Sequence, residues 1–226
     1  MYWDSTIIIL IPAIIFSIVA QIMVKSAFSE YSKVRNSRGL TGADAAREIL
    51  DRNGLTNVRI EHISGSLTDH YDPTANVIRL SDDVYGSATV AAVGVAAHEA
   101  GHAVQYAEGY FPIKIRNAII PVTRFGSSLS TPLVILGLAL SRDFLITAGI
   151  LLFCAVVLFQ AITLPVEFNA SGRALKTLRS SHFLEDDEMK GARRVLTAAA
   201  MTYVAAMLSA LLSLIRLLAI SGRRRR

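Results

Sequence analysis

Four apolar runs limit what this chain of 226 residues can fold into. Ser5 to Val24 carries no charge over about twenty positions, enough to cross a hydrocarbon core roughly 30 Å thick. Phe144 to Val166 is a second such run. Val195 to Ile220 is a third, with Arg216 near its end, where a long side chain reaches back to the interface. Phe125 to Ser141 is shorter and holds Ser127, Ser128, Ser130 and Pro132. Only Arg142 and Asp143 part it from the following run, which predicts an antiparallel helical hairpin. With 52% hydrophobic residues and a mean hydropathy of +0.44, the chain is predicted to be a mainly α membrane protein. About four transmembrane helices are expected, with a small membrane-proximal α+β domain.

The expected segments are a transmembrane anchor over 5–24, a folded domain over 25–118 and a transmembrane hairpin over 119–166. A helix on the domain's side over 167–194 and a last transmembrane helix over 195–220 follow. No Lys or Arg precedes the first run, so it lacks the basic start of a cleaved signal and is expected to remain as an anchor, with Tyr2 and Trp3 at the headgroups. Lys25, Lys33, Arg35, Lys114, Arg116, Arg124, Arg173, Lys176, Arg179, Lys190, Arg193 and Arg194 fall on the domain's side, which the positive-inside rule makes cytoplasmic. The tail Arg223 to Arg226 runs against this, since four crossings put it on the other face. The larger set of charges decides for a cytoplasmic domain, and an anchor without a eukaryotic targeting signal fits a multi-pass protein of a bacterial inner (plasma) membrane. Cys154 is alone inside a run, so no disulfide or cysteine-based metal site is available.

Within 25–118, Thr41 and Asp44 resemble a helix-capping pair, with Asn53 and Gly54 as the stop. Val58 to Ile63 and Asn76 to Leu80 alternate as short strands do, the second expected to offer an edge to an extended peptide. Asp72 to Asn76 reads as a turn, and Asp82 and Asp83 are placed at the start of the next helix.

The chemistry is carried by His98-Glu99-Ala100-Gly101-His102 inside the Ala-rich run Ala88 to Ala107. On a helix, residues four apart share a face, so two imidazoles can reach one zinc ion while Glu99 touches the water bound there as general base. The polar residues His98, Glu99, His102 and Gln105 place this helix in the membrane-proximal domain rather than in lipid. Gly101 either removes bulk beside the metal or lets helices pack closely.

The leading third ligand is Glu167, which follows Leu164-Pro165-Val166 at the end of an apolar run. A helix continuing past Pro165 brings this carboxylate to the membrane-proximal layer. Ala170 allows close helix approach, and Ser171 shares the Glu167 face. The plainer alternative for Glu167 is an interfacial carboxylate paired with Arg173. His62, His70 and His182 compete as ligands. His70 and Tyr71 are the first candidates for stabilising transition-state charge, against a hydrogen-bonded turn.

The stretches H-E-A-G-H-A-V-Q (His98 to Gln105), L-T-D-H-Y-D-P (Leu67 to Pro73) and L-P-V-E-F-N-A-S (Leu164 to Ser171) resemble those of the YugP-type neutral zinc metallopeptidases, over nearly the whole chain. The layout is also similar to the HtpX and CAAX-type membrane peptidases. In that wider group the resemblance implies a zincin-like domain, zinc held by His98, His102 and Glu167, and Glu99 as the base. Ser171 stands where that group often has Asp. The FtsH proteases share H-E-A-G-H but need an ATPase module, and no G-x-x-x-x-G-K-[ST] occurs here. Intramembrane site-2 proteases use a late Asp ligand, which fits Glu167 and the polar metal helix less well.

These readings converge on a zinc metalloendopeptidase acting on a peptide or protein substrate beside the lipid bilayer, with no nucleic-acid partner. The competing class is a non-catalytic membrane scaffold with a structural or relic metal site.

Overall fold

The computed structural model describes residues 5–223, so Tyr2, Trp3 and Arg224 to Arg226 lie outside the described residues. After a 3-10 turn over Ser5–Leu10, the elements are α1 (Ile11–Tyr31), α2 (Gly42–Arg52), β1 (Arg59–His62), β2 (His70–Asp72) and β3 (Val77–Leu80). Then follow α3 (Val90–Ala107), α4 (Phe111–Ala139), α5 (Asp143–Ser180) and α6 (Asp186–Arg223). The protein is a mainly α membrane protein carrying a small α+β portion. Four helices, Thr6–Tyr31, Phe111–Ala139, Asp143–Ser180 and Asp186–Gly222, are long and apolar enough to cross a bilayer. The chain divides into two compact units. One comprises the described residues of Met1–Gln21, Phe111–Pro165 and Thr202–Arg226, the other Ile22–Tyr110 and Val166–Met201.

The first unit turns apolar side chains outward. Ile8, Ile14, Ile15, Leu151 and Phe144 are all more than half exposed, a surface that only a hydrocarbon solvent makes favourable. Its helices meet at small residues. A Cβ on Gly149 would stand 2.6 Å from the Ser130 carbonyl oxygen, and one on Gly126 would stand 2.7 Å from that of Leu152. Such close backbone approach is how helices associate where no hydrophobic force acts between them. The hairpin partner α4 begins at Phe111 and continues through Pro121 and Pro132, well before the expected start at Phe125. Oγ of Ser128 donates to the Arg124 and Phe125 carbonyl oxygens, one of the ways a proline-bearing membrane helix keeps its backbone satisfied.

The second unit is built on α3. Its alanines Ala91, Ala92, Ala96, Ala97 and Ala100 are fully buried, so neighbouring helices can lie close on several sides. Helix α2 packs on it through Ile49 and Leu50. The Thr41 and Asp44 pair forms a complete capping box, and α2 stops at Asn53 before Gly54, whose φ of +71° suits glycine. Val77, Ile78 and Leu80 of β3, with Leu178 and Phe183, complete the apolar interior; each such side chain contributes about 1.5–3 kcal/mol when buried. Thr89, not Asp82 or Asp83, caps α3: its side chain accepts the Ala92 N–H. Asp82 instead accepts the Gly65 N–H and lies 2.7 Å from His62 Nε2.

The sheet order is β1-β3-β2. Strand β3 is therefore central, with β1 parallel on one side (Arg59↔Val77) and β2 antiparallel on the other (Tyr71↔Ile78). The expectation that Asn76 to Leu80 forms a free edge is overturned, because β3 is the most buried strand and takes a partner on each flank. The edge nearest α3 is β2. Its turn back into β3 is held by Asp72 Oδ1, which accepts the N–H groups of Thr74 and Ala75.

Candidate metal centre

His98 and His102 sit one turn apart on α3 with their rings edge to face, centroids 4.7 Å apart. Helix α5 runs unbroken through Pro165, so Val166, Glu167, Ala170 and Ser171 continue the same helix without a separate segment starting at 167. The two helices touch at their smallest residues: a Cβ on Gly101 would lie 2.9 Å from the Ala170 carbonyl oxygen. Of the two roles open to Gly101, close helix packing is the one this distance supports. The approach delivers Glu167 Oε2 to 3.3 Å from His98 Nε2 and 3.4 Å from His102 Nε2. Donor atoms of these three residues all lie within 4.8 Å of one another.

Those spacings fit a metal. Two zinc–ligand bonds of about 2.05 Å meeting at the tetrahedral angle hold their donor atoms about 3.3 Å apart, whereas a good hydrogen bond is shorter, about 2.7–3.2 Å. The donor set is two imidazole nitrogens and one carboxylate oxygen, which suits zinc. Glu99 and Glu167 are 8% and 2% exposed. Two carboxylates buried this deeply require compensating positive charge. Burial works against a charged His102 imidazole, but the Glu167 carboxylate and the charge of Glu99 outweigh it and hold its pKa above the ordinary value. The same negative field favours a cation among these donors.

The remaining polar partners come from three elements. Ser171 Oγ lies 3.1 Å from His98 Nδ1. Gln105 Oε1 lies 3.0 Å from His102 Nδ1, and Gln105 Nε2 donates to the Val166 carbonyl oxygen. Glu99 Oε2 accepts the backbone N–H of Tyr71 at 2.9 Å, which joins edge strand β2 to the metal helix. Arg173, the alternative partner for Glu167, pairs with Glu108 at 2.7 Å.

His70 is not brought to this cluster. Successive strand residues face opposite ways, and its exposed ring turns to the Thr68 carbonyl oxygen and Arg79. The Tyr71 hydroxyl donates to Asn76 Oδ1 in the turn, so the contact this residue makes with the site is through its backbone. His62 and His182 also lie outside the group of three. The sequence marks Gln105 only as one of the polar residues of α3; its i+3 spacing from His102 on one helix face is the signal for the contact the structure shows.

A family model described as "Putative neutral zinc metallopeptidase" matches residues 6–222. The chain belongs to this family. It is 50% identical over 210 residues to "Putative membrane protease YugP" of Bacillus subtilis (strain 168), covering 93% of each chain. No solved structure matches. The family's name refers to zinc, and His98, His102 and Glu167 are a donor group that could hold a metal ion.

Proposed function

We propose that this chain is a zinc-dependent endopeptidase of the plasma (inner) membrane, with its site at the cytoplasmic face. The observation that carries the reading is the convergence of Glu167 Oε2 on His98 Nε2 and His102 Nε2, at 3.3 and 3.4 Å, with a second carboxylate, Glu99, next to His98 on the same helix. A zinc ion held by His98, His102 and Glu167 would supply a Lewis acid able to activate water and polarise a carbonyl. Glu99 takes the proton of the attacking water and passes it to the leaving amine. The Tyr71 N–H on Oε2 fixes the carboxylate's orientation for that transfer.

Substrate is placed along β2. In a strand, the N–H and C=O of one residue point to the same side, so the Tyr71 carbonyl faces the side on which its N–H meets Glu99. An extended peptide added to this edge would run past the base. The lysines and arginines on the domain's side support a cytoplasmic site. A purely structural zinc site would close its coordination with a fourth side chain, and among the described residues the group has three.

The test compares wild type with Glu99→Gln. The variant should retain zinc and lose cleavage of an unstructured polypeptide. Equal cleavage by both proteins would refute the mechanism.

A further inference from the structure

We propose that Gln105 is a positioning residue that fixes the His102 imidazole with its proton on Nδ1 and its lone pair on Nε2, the atom turned to Glu167. This deepens the metal-centre reading and rests on it. Gln105 is fully buried on α3. Its side chain makes three polar contacts: Oε1 to His102 Nδ1 at 3.0 Å, Nε2 to the Val166 carbonyl oxygen at 2.8 Å, and Nε2 to Asn169 Oδ1 at 2.9 Å.

A carboxamide has nearly the same shape either way round, so chemistry must decide which end faces which partner. Two partners decide it independently. The Val166 carbonyl can only accept, so the end facing it is the amide nitrogen. Arg173 Nε can only donate, and it lies 2.7 Å from Asn169 Oδ1. That makes Oδ1 the acceptor of Asn169, and the Gln105 atom beside it is again the nitrogen. Oε1 is thereby left to His102. An amide oxygen only accepts, so Nδ1 must carry the proton, and in a neutral imidazole Nε2 is then free to donate its lone pair to a metal.

The two imidazoles are held differently. His98 Nδ1 faces the Ser171 hydroxyl, which donates or accepts equally well and selects no tautomer. His102 is held by a directed chain, Glu108 to Arg173 to Asn169 to Gln105, that ties α3 to α5 on both sides of Glu167. The tautomer of His102 is thus set by groups outside the three-residue donor set.

The experiment uses the full chain in detergent and measures zinc affinity by competition with a chromophoric chelator for wild type, Gln105→Glu and Gln105→Met. Gln105→Met removes the acceptor and should lose ~10- to 100-fold in affinity. Gln105→Glu still accepts from Nδ1–H but loses both amide donations, to the Val166 carbonyl and to Asn169 Oδ1, and should lose several-fold less affinity than Gln105→Met. Equal losses in both variants would mean that Gln105 acts only by holding the helices together, and wild-type affinity in both would also overturn the proposal. Nitrogen-15 NMR of His102 in wild type needs no variant to fold. Zinc on Nε2 with the proton on Nδ1 is expected, and zinc on Nδ1 overturns the inference. A wild-type protein that binds no zinc would sink the metal-centre reading. The same NMR measurement on the metal-free neutral imidazole would then decide the tautomer separately, the Nδ1–H form supporting it and the Nε2–H form overturning it.

Discussion

Tyr71 donates its backbone N–H to Glu99 Oε2 at 2.9 Å, so the candidate base is oriented by the edge strand on which substrate is proposed to lie. Tyr71→Pro removes this donor. Because that N–H is directed at Glu99 and the residue is on an edge strand, proline should be tolerated. A hydrogen bond to a charged group is worth about 1.5–3 kcal/mol, so kcat/KM should fall roughly 10- to 100-fold relative to Tyr71→Ala, which keeps the N–H. Equal rates for the two variants would detach the strand from the chemistry.

Gly101→Ala should be harmful although alanine favours helix. The added methyl would lie 2.9 Å from the Ala170 carbonyl oxygen and must push α3 from α5. Overpacking of this kind costs about 1–3 kcal/mol, and here it also moves both imidazoles away from Glu167. A lower Tm together with reduced zinc content is expected. An unchanged Tm would show that the helices are free to separate.

Asp69 supplies a pH-dependent prediction. Its carboxylate accepts the Ser81 N–H at 2.7 Å and the Ser81 hydroxyl at 3.0 Å, anchoring the entry to β2. Burial raises its pKa, and these bonds only partly oppose the shift. With the folded pKa above the unfolded 3.8, the folded protein binds more protons between the two values. This group's contribution to stability therefore falls as pH rises through that window and is flat above it. Asp69→Asn removes that slope. The Tm difference, wild type minus variant, should grow more positive toward acid, and a difference that shrinks there would contradict the sign.

Much of this architecture was legible in the sequence because it is written in local patterns. The apolar runs, the Thr41 and Asp44 cap and the strand around Ile60 each declare themselves within a few residues. The H-E-x-x-H spacing places two imidazoles on one face for the same reason. Strand β2 is three residues long and too short to show alternation, so the order β1-β3-β2 could not be read. The parallel pairing of β1 with β3 is a tertiary choice. The contact of Gln105 with Val166 joins positions 61 apart, beyond the reach of any periodicity. Glu167 was within reach because Pro165 and the end of an apolar run located it along the helix, and Ala170 and Ser171 marked its face.

The central claim is that Glu167 completes a metal site with His98 and His102, and zinc content measured on purified wild type, Glu99→Gln and Glu167→Ala tests it most directly. About one zinc per chain is expected in wild type and in Glu99→Gln, from one set of three donors. Glu167→Ala should purify with markedly less. Unchanged zinc in Glu167→Ala would contradict the account.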